Sequence, residues 1–208
     1  MSSSRHLHRA VTFVATVALV VSAALAVAAR SQDASVQKLL ERGAFNEAVQ
    51  RAEGERGNPE STYLAAQAFA KMDNNDAARG EYARLRQGEG DDWKAIGESG
   101  EALLAGDLET AMAAASRAVG ANGDNPYAHY QLGLVANRQN RFEDAAAAFG
   151  RAVEIKPDLA YAHYYAGIAS QRLKEIARMS QHLEMFLRLA PDAPERGTVS
   201  AILRTLRP

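Results

Sequence analysis

The chain has 208 residues, of which 47% are hydrophobic and 24% charged, a composition typical of a globular domain that buries a core. The formal net charge is −1, and Arg5, Arg9 and Arg30 precede residue 31, so the rest of the chain is mildly acidic. This argues against a nucleic-acid partner, which requires a basic face. The sequence contains no cysteine, which excludes disulfides, thiolate metal sites and cysteine nucleophiles.

Residues 1–30 have the pattern of an export signal. A basic, polar leader is followed by an uncharged apolar stretch at residues 10–29. This stretch is long enough for a membrane-spanning helix, which needs about 20 apolar residues. It also ends in Ala24, Ala26 and Ala28, which offer the Ala-x-Ala cleavage sites of a signal peptide. We predict an N-terminal hydrophobic helix that is either a cleaved signal peptide or a single-pass anchor; the sequence leaves both fates open.

Amphipathic helical segments fill residues 31–208, and glycine, asparagine, aspartate or proline separates them. The predicted helix pairs cover residues 35–57, 59–90, 92–124, 126–158 and 160–192, with a capping helix at 194–207. In that last helix Val199, Ile202 and Leu206 share one face, as the end of a stack requires. Asp192 and Glu195 have the spacing of a helix-capping box.

The fourth and fifth pairs repeat each other in sequence. The block Tyr-Ala-His-Tyr-Gln-Leu-Gly at residues 127–133 returns as Tyr-Ala-His-Tyr-Tyr-Ala-Gly at residues 161–167, an offset of 34 residues. A fixed period of this size is typical of stacked helix pairs, none of which can bury its apolar face alone. Small residues at Gly133 and Gly167 predict a close approach of the paired helices.

At these residues the chain resembles the tetratricopeptide repeat (TPR) family, whose signature is Trp-x2-Leu-Gly-x2-Tyr, then Ala-x3-Phe, then Pro. The first copy supplies His129, Leu132, Gly133, Ala136, Ala145, Phe149 and Pro157. The second supplies His163, Ala166, Gly167, Ser170, Met179, Leu183 and Pro191. Histidine in place of tryptophan is a departure from the family pattern. The resemblance implies an all-α fold, a right-handed solenoid of antiparallel helix pairs with a C-terminal capping helix.

Catalytic patterns are missing from the sequence. It has no His-Glu-x-x-His, no glycine-rich phosphate loop and no Gly-x-Ser-x-Gly elbow. His129 and His163 are the nearest to a metal pair, but helices in contact lie about 8–10 Å apart, whereas a zinc ligand lies about 2 Å from its ion. We therefore favour a packing role for both histidines and expect no enzyme activity, no cofactor and no metal.

The resemblance further implies that the first helix of each pair lines a concave groove that holds an extended or helical peptide. The expected partner-binding residues are Tyr127, Tyr130, Leu134, Asn137, Arg138, Tyr161, Tyr164, Ile168, Gln171 and Arg172, with Trp93 and Ile96 continuing the surface. Tyrosine and arginine concentrate binding energy at interfaces, and the arginines suit a carboxylate. The alternative is that the tyrosines pack between repeats. Co-chaperones of the family clamp a carboxylate with Lys and Asn where this chain has Tyr130 and Leu134, so chaperone C-terminal tails are not expected ligands.

These patterns predict a non-enzymatic scaffold that binds a peptide segment of a partner protein and serves assembly or chaperoning in the cell envelope. The alternative is a structural subunit of a larger envelope complex, in secretion, pilus, outer-membrane assembly or cytochrome maturation, that uses its outer or lateral face. The positive-inside rule places the leader in the cytoplasm and residues 31–208 outside it. The expected location is the periplasmic face of the bacterial inner membrane, through residues 10–29, or the soluble periplasm after cleavage.

Overall fold

A computed structural model of the protein describes residues 34–206, which contain eleven helices and no strand. In chain order the helices are α1 (Val36–Glu41), α2 (Phe45–Gly54), α3 (Pro59–Lys71), α4 (Asn75–Gln87), α5 (Asp91–Ala105), α6 (Leu108–Ala121), α7 (Pro126–Arg138), α8 (Phe142–Ile155), α9 (Ala160–Arg172), α10 (Ile176–Leu189) and α11 (Arg196–Arg204). None of these eleven is long and apolar enough to cross a membrane. The predicted N-terminal hydrophobic helix lies outside the described residues.

The helices form five consecutive pairs, from α1–α2 to α9–α10, and each pair packs on the next. Helix α11 packs on α10 and closes the C-terminal end. The all-α solenoid of helix pairs with a C-terminal cap is therefore confirmed.

The turn between the two helices of a pair recurs with the period of the sequence. Gly106, Asn140 and Lys174 follow α5, α7 and α9, and their φ angles are 80°, 60° and 60°. The left-handed conformation at this position ends the first helix and redirects the chain into the second. Pro59 and Pro126 begin α3 and α7, where the missing amide proton costs no helical hydrogen bond.

Glycine brings the paired helices together. A Cβ atom at Gly133 would lie 2.7 Å from Cε1 of Phe149, and one at Gly167 would lie 2.6 Å from Cδ2 of Leu183. Real carbon atoms do not approach so closely, so the ring and the leucine occupy the space that a side chain would need. The close helix approach predicted at both glycines is confirmed.

The predicted capping box at the start of α11 is wrong. The helix begins at Arg196, and the preceding residue Glu195 makes no side-chain capping bond. Its carboxylate instead accepts hydrogen bonds from Lys71 and Tyr161, both distant in sequence. The apolar face predicted for this helix does pack inward, since Val199 is fully buried.

Candidate functional site

Aromatic side chains from the second to the fifth pair form one continuous group, the aromatic cluster. Its members are Tyr63, Tyr82, Trp93, Tyr127, Tyr130, Phe149, Tyr161, Tyr164, Tyr165 and Phe186. Tyr63 on α3 is central, with ring centroids 5.4 Å from Tyr127 and 6.3 Å from Trp93. Burial raises the pKa of Tyr165 to about 12, so this phenol stays neutral. Tilted ring pairs at such distances stabilise a fold beyond the burial of their area.

Helix α1 lies against the start of α9, at the far end of the solenoid. The side-chain amide of Gln37 donates to the carbonyl oxygen of Asp158 at 2.8 Å. A carboxylate oxygen of Glu41 accepts from the backbone amide of Ala160 at 3.2 Å. Leu159, the residue that precedes α9, makes no side-chain capping bond of its own. Glu41 therefore caps α9, and its negative charge suits the positive end of the helix dipole.

Helix α3 joins α7 through a buried polar chain. The hydroxyl of Tyr63 donates to Gln131 at 3.0 Å, and the amide of Gln131 donates to Ser99 at 3.1 Å. Ser99 in turn donates to the carbonyl oxygen of Ala111 at 2.9 Å. Each polar group in this series of hydrogen bonds has a partner. Burying the series therefore leaves no unpaired group with a desolvation penalty.

Charged contacts lie on both sides of this series of buried hydrogen bonds. On one side, Tyr127 donates to Glu60 at 2.6 Å, and Lys156 lies 3.5 Å from the same carboxylate. Burial and the nearby Glu60 carboxylate raise the pKa of the Tyr127 phenol well above its ordinary range.

On the other side, Lys71 pairs with Glu195 at 2.7 Å, and Tyr161 donates to that carboxylate at 2.9 Å. The ammonium of Lys71 also lies 3.9 Å from the centre of the Tyr161 ring. Burial acts to raise the pKa of Glu195, but the hydrogen bond and charge of Lys71 outweigh it and lower the pKa. This contact joins α3 to the C-terminal cap.

Three of the ten predicted partner-binding residues are buried. Tyr127 is 2% exposed, Tyr130 5% and Tyr161 3%, because α1 and α3 lie over them. Ile96 is buried as well, and Trp93 is half-buried. At these positions the surface is closed, as in the alternative that the tyrosines pack between repeats. The chain's own N-terminal helices fill the space that the sequence assigned to a partner.

The remaining seven residues lie on α7 and α9, and we term the surface that they share the open groove. Leu134, Asn137, Tyr164 and Ile168 are half-buried, whereas Arg138, Gln171 and Arg172 are exposed. Whether any of the ten residues contacts a partner stays a prediction.

Arg138 and Arg172 lie at the end of the open groove, and neither forms an ion pair with a described residue. The guanidinium of Arg172 lies 5.8 Å from the centre of the Phe142 ring. Two cations beside half-buried apolar side chains are suited to an apolar segment that carries a carboxylate.

Comparison with known proteins agrees with this architecture. Residues 100–160 and 130–194 each match the family model described as tetratricopeptide repeat. Residues 100–194 contain TPR repeats. A comparison of the sequence with curated proteins gives no match.

Solved TPR structures align with the solenoid at low sequence identity. The first TPR domain of Spaghetti (RPAP3), bound to the HSP90 peptide SRMEEVD, aligns with a TM-score of 0.51 at 18% identity, over 55% of this chain and 88% of that chain. The TPR domain of Arabidopsis OM64 gives 0.52 at 17%, over 55% and 94%. The Cut9–Hcn1 hetero-tetramer of the APC/C gives 0.57 at 16%, over 77% of this chain and 33% of that chain. These likenesses show the fold, and the TPR repeat is a scaffold for protein interactions.

The signature histidines of the TPR repeats bond locally. His129 contacts the carbonyl oxygen of Gly123 at 2.9 Å. His163 contacts that of Pro157 at 3.2 Å through Nε2, which must carry the proton, so its Nδ1 accepts from Nδ1 of His182 at 3.1 Å. Burial lowers the pKa of both His163 and His182. Within residues 34–206 no group of three His, Asp or Glu side chains is placed to hold a metal ion.

A second concave surface, the outer groove, lies between α2 and α4, the second helices of the first two pairs. Its volume is about 820 Å³. Charged lining residues include Glu53, Arg56, Glu81, Arg84 and Glu89. Burial raises the pKa of Glu81, although Arg84 pairs with it at 2.7 Å and opposes the shift.

Sequence reasoning missed Tyr63, the centre of the aromatic cluster. Trp93, Tyr127 and Tyr161 stand 34 residues apart, whereas Tyr63 precedes Trp93 by 30 residues. A search at the TPR period therefore skips it. The signal that was available is its position on α3, a first helix of a pair, where inner-face residues belong.

Proposed function

We propose that the protein is an exported, non-enzymatic TPR scaffold that holds a peptide segment of a partner protein in its open groove, in the service of assembly or chaperoning in the cell envelope. The observation that carries the proposal is the pair Arg138 and Arg172, two exposed cations without an acidic partner among the described residues. They border the half-buried side chains of Leu134 and Ile168.

The geometry favours a ligand with apolar side chains followed by a carboxylate. Leu134 and Ile168 supply apolar contact, and Asn137 and Gln171 supply amide groups for the peptide backbone. The clamp residues that co-chaperones use are replaced here by Tyr130, which is buried, and by Leu134. A C-terminal chaperone tail therefore has no clamp to bind, and an internal acidic segment is the better ligand.

The test uses a charge reversal in the open groove and a matched reversal elsewhere. We expect Arg138→Glu/Arg172→Glu to reduce partner capture from cross-linked native envelopes by about tenfold or more, as loss of two charge-assisted contacts predicts. Arg56→Glu/Arg84→Glu introduces the same charge change in the outer groove and should capture as the wild type does. Capture is quantified by mass spectrometry of the purified complex.

The outer groove supports a second candidate function, a structural subunit of a larger envelope complex. Its size and mixed charge suit a permanent protein contact on the second helices of the TPR pairs. If this candidate function is correct, the two charge-reversal variants should have the opposite effects. Arg56→Glu/Arg84→Glu then releases the protein from a large assembly on size exclusion, while Arg138→Glu/Arg172→Glu has no effect.

Export is tested at the N-terminus. The basic leader and the apolar stretch at residues 10–29 support translocation of the repeats. N-terminal sequencing of the protein from its native source is expected to begin at residue 1 in the membrane fraction if the segment is an anchor, or near residues 25–31 in the soluble fraction if it is cleaved. Recovery of an intact N-terminus in the cytosol would contradict export.

A further inference from the structure

Helix α1 occupies the inner face of the solenoid as a bound ligand would. Leu40, Gln37 and Glu41 lie beside Tyr127 and Tyr161, and the cavity between them, about 10 Å³, is hardly large enough for one water molecule. The helix supplies apolar contact, one amide donor and one carboxylate acceptor, which together satisfy the exposed end of α9.

The same helix is weakly built on its own. It has only six residues, and isolated helices shorter than about 12 residues are marginal in water. It therefore holds its shape through its packing on α2 and α3 and its hydrogen bonds at the start of α9. Gly43, at a φ of 78°, separates it from α2 and forms a turn that glycine adopts without strain.

Departure of α1 would expose a second site with a defined chemistry. The rings of Tyr127, Tyr130 and Tyr161 would become more accessible, and the backbone amide of Ala160 would lose its acceptor, because Leu159 provides no side-chain cap. An apolar helix with a carboxylate at one end matches this surface, since anions are stabilised at helix N-termini.

We propose that α1 is a displaceable internal ligand, and that an amphipathic helix of a partner, with a carboxylate near its C-terminal end, replaces it on the inner face. This inference rests on the proposed function, because it assigns a second recognition site and its regulation to the same solenoid. The occupied state limits binding, since a partner must compete with a tethered helix at an effective concentration of the order of millimolar.

The experiment measures binding of a fluorescein-labelled synthetic peptide that covers residues 34–44, by anisotropy, to the full chain in detergent. Gln37→Ala/Glu41→Ala removes both bonds between α1 and α9, so we expect the peptide to bind this variant about tenfold or more tightly than the wild type. A peptide in which the same two residues are alanine should bind the variant less tightly than the unchanged peptide does. The control Gln181→Ala/Glu184→Ala changes the same residue types at exposed positions on α10 and should behave as the wild type.

Hydrogen exchange in the unmodified full chain provides a test that no folding defect affects. We expect the amides of residues 40–44 to exchange through local opening, faster than those of α7 and α9, and addition of the peptide to accelerate them further. Equal peptide affinity for wild type and variant, equal binding of the alanine peptide, or exchange of residues 40–44 only with α7 overturns the inference. Capture through Arg138 and Arg172 is scored separately, so the proposed function stands or falls on its own result.

Discussion

At the scale of single residues, glycine sets the distance between paired helices. We predict that Gly133→Ala lowers the free energy of unfolding by about 1–3 kcal/mol, because its methyl group would meet the ring of Phe149, which is fully buried. Gly150 in α8 has open space around it, so Gly150→Ala should instead stabilise by about 0.5–1 kcal/mol. Urea denaturation followed by circular dichroism measures both. Equal changes in the two variants would contradict this account of the pair interface.

The pair His163–His182 makes stability depend on pH. Burial lowers both pKa values below their ordinary 6.5, so the unfolded chain binds more protons as the pH falls. The stabilisation is therefore complete above pH 6.5 and is lost as the pH falls below it. The cations Arg178 and Arg188 face the pair and oppose its protonation further.

We expect the free energy of unfolding to fall as the pH is lowered below about 6.5, and to fall less in His163→Asn/His182→Gln. Chemical denaturation at a series of pH values provides the measurement. The same pH slope in both proteins would show that these histidines do not couple to folding.

At the scale of the elements, the ion pair between Lys71 and Glu195 joins α3 to α11. Lys71→Met keeps the apolar stem on the Tyr161 ring and removes the charge, and we predict a loss of about 1–2 kcal/mol at neutral pH. The pKa of Glu195 is below its ordinary 4.5, so the ion pair stabilises above that pH and its contribution is lost as the pH falls through the lowered pKa. The difference between wild type and variant should therefore shrink in acid.

A matched exposed pair serves as the control for this prediction. Arg79 lies 3.4 Å from Asp76, whose side chain is 96% exposed. Arg79→Met should change the free energy of unfolding by less than about 0.5 kcal/mol. A Lys71→Met effect no larger than that of Arg79→Met would remove the case for a structural contact between α3 and α11.

At the scale of the whole molecule, the solenoid has contacts that skip its neighbours. Tyr63 on the second pair bonds to Gln131 on the fourth, and Glu41 on the first pair bonds to Ala160 on the fifth. Stacked repeats usually unfold as a chain of nearest-neighbour units, and these contacts couple distant units.

We therefore predict a single unfolding transition for residues 34–206. The one tryptophan, Trp93, contacts Tyr63 and Tyr127, so its fluorescence reports the centre of the solenoid. Its urea transition should coincide with the loss of helical circular dichroism, as two-state behaviour requires. A fluorescence midpoint clearly separated from that of circular dichroism would mean that the units unfold independently.

The sequence predicted the repeated helix pairs, but it could not predict the contacts between distant pairs. The 34-residue offset located the pairs, and Gly133 and Gly167 located their interfaces, because neighbour contacts recur with the period. The bond from Glu41 to Ala160 occurs once and spans 119 residues, so it leaves no period to detect. Curvature of the stack brings these residues together, and curvature is a sum of small rotations that no single segment encodes.

The buried hydrogen bonds from Tyr63 to Ala111 limit how such a protein can gain or lose helix pairs. An array whose units touch only their neighbours gains or loses a unit by recombination without harm. Here excision of α5 and α6 would remove Ser99 and strand the amide of Gln131 in an apolar interior. Loss of one internal pair should therefore destabilise this protein more than it destabilises an array whose units contact only their neighbours.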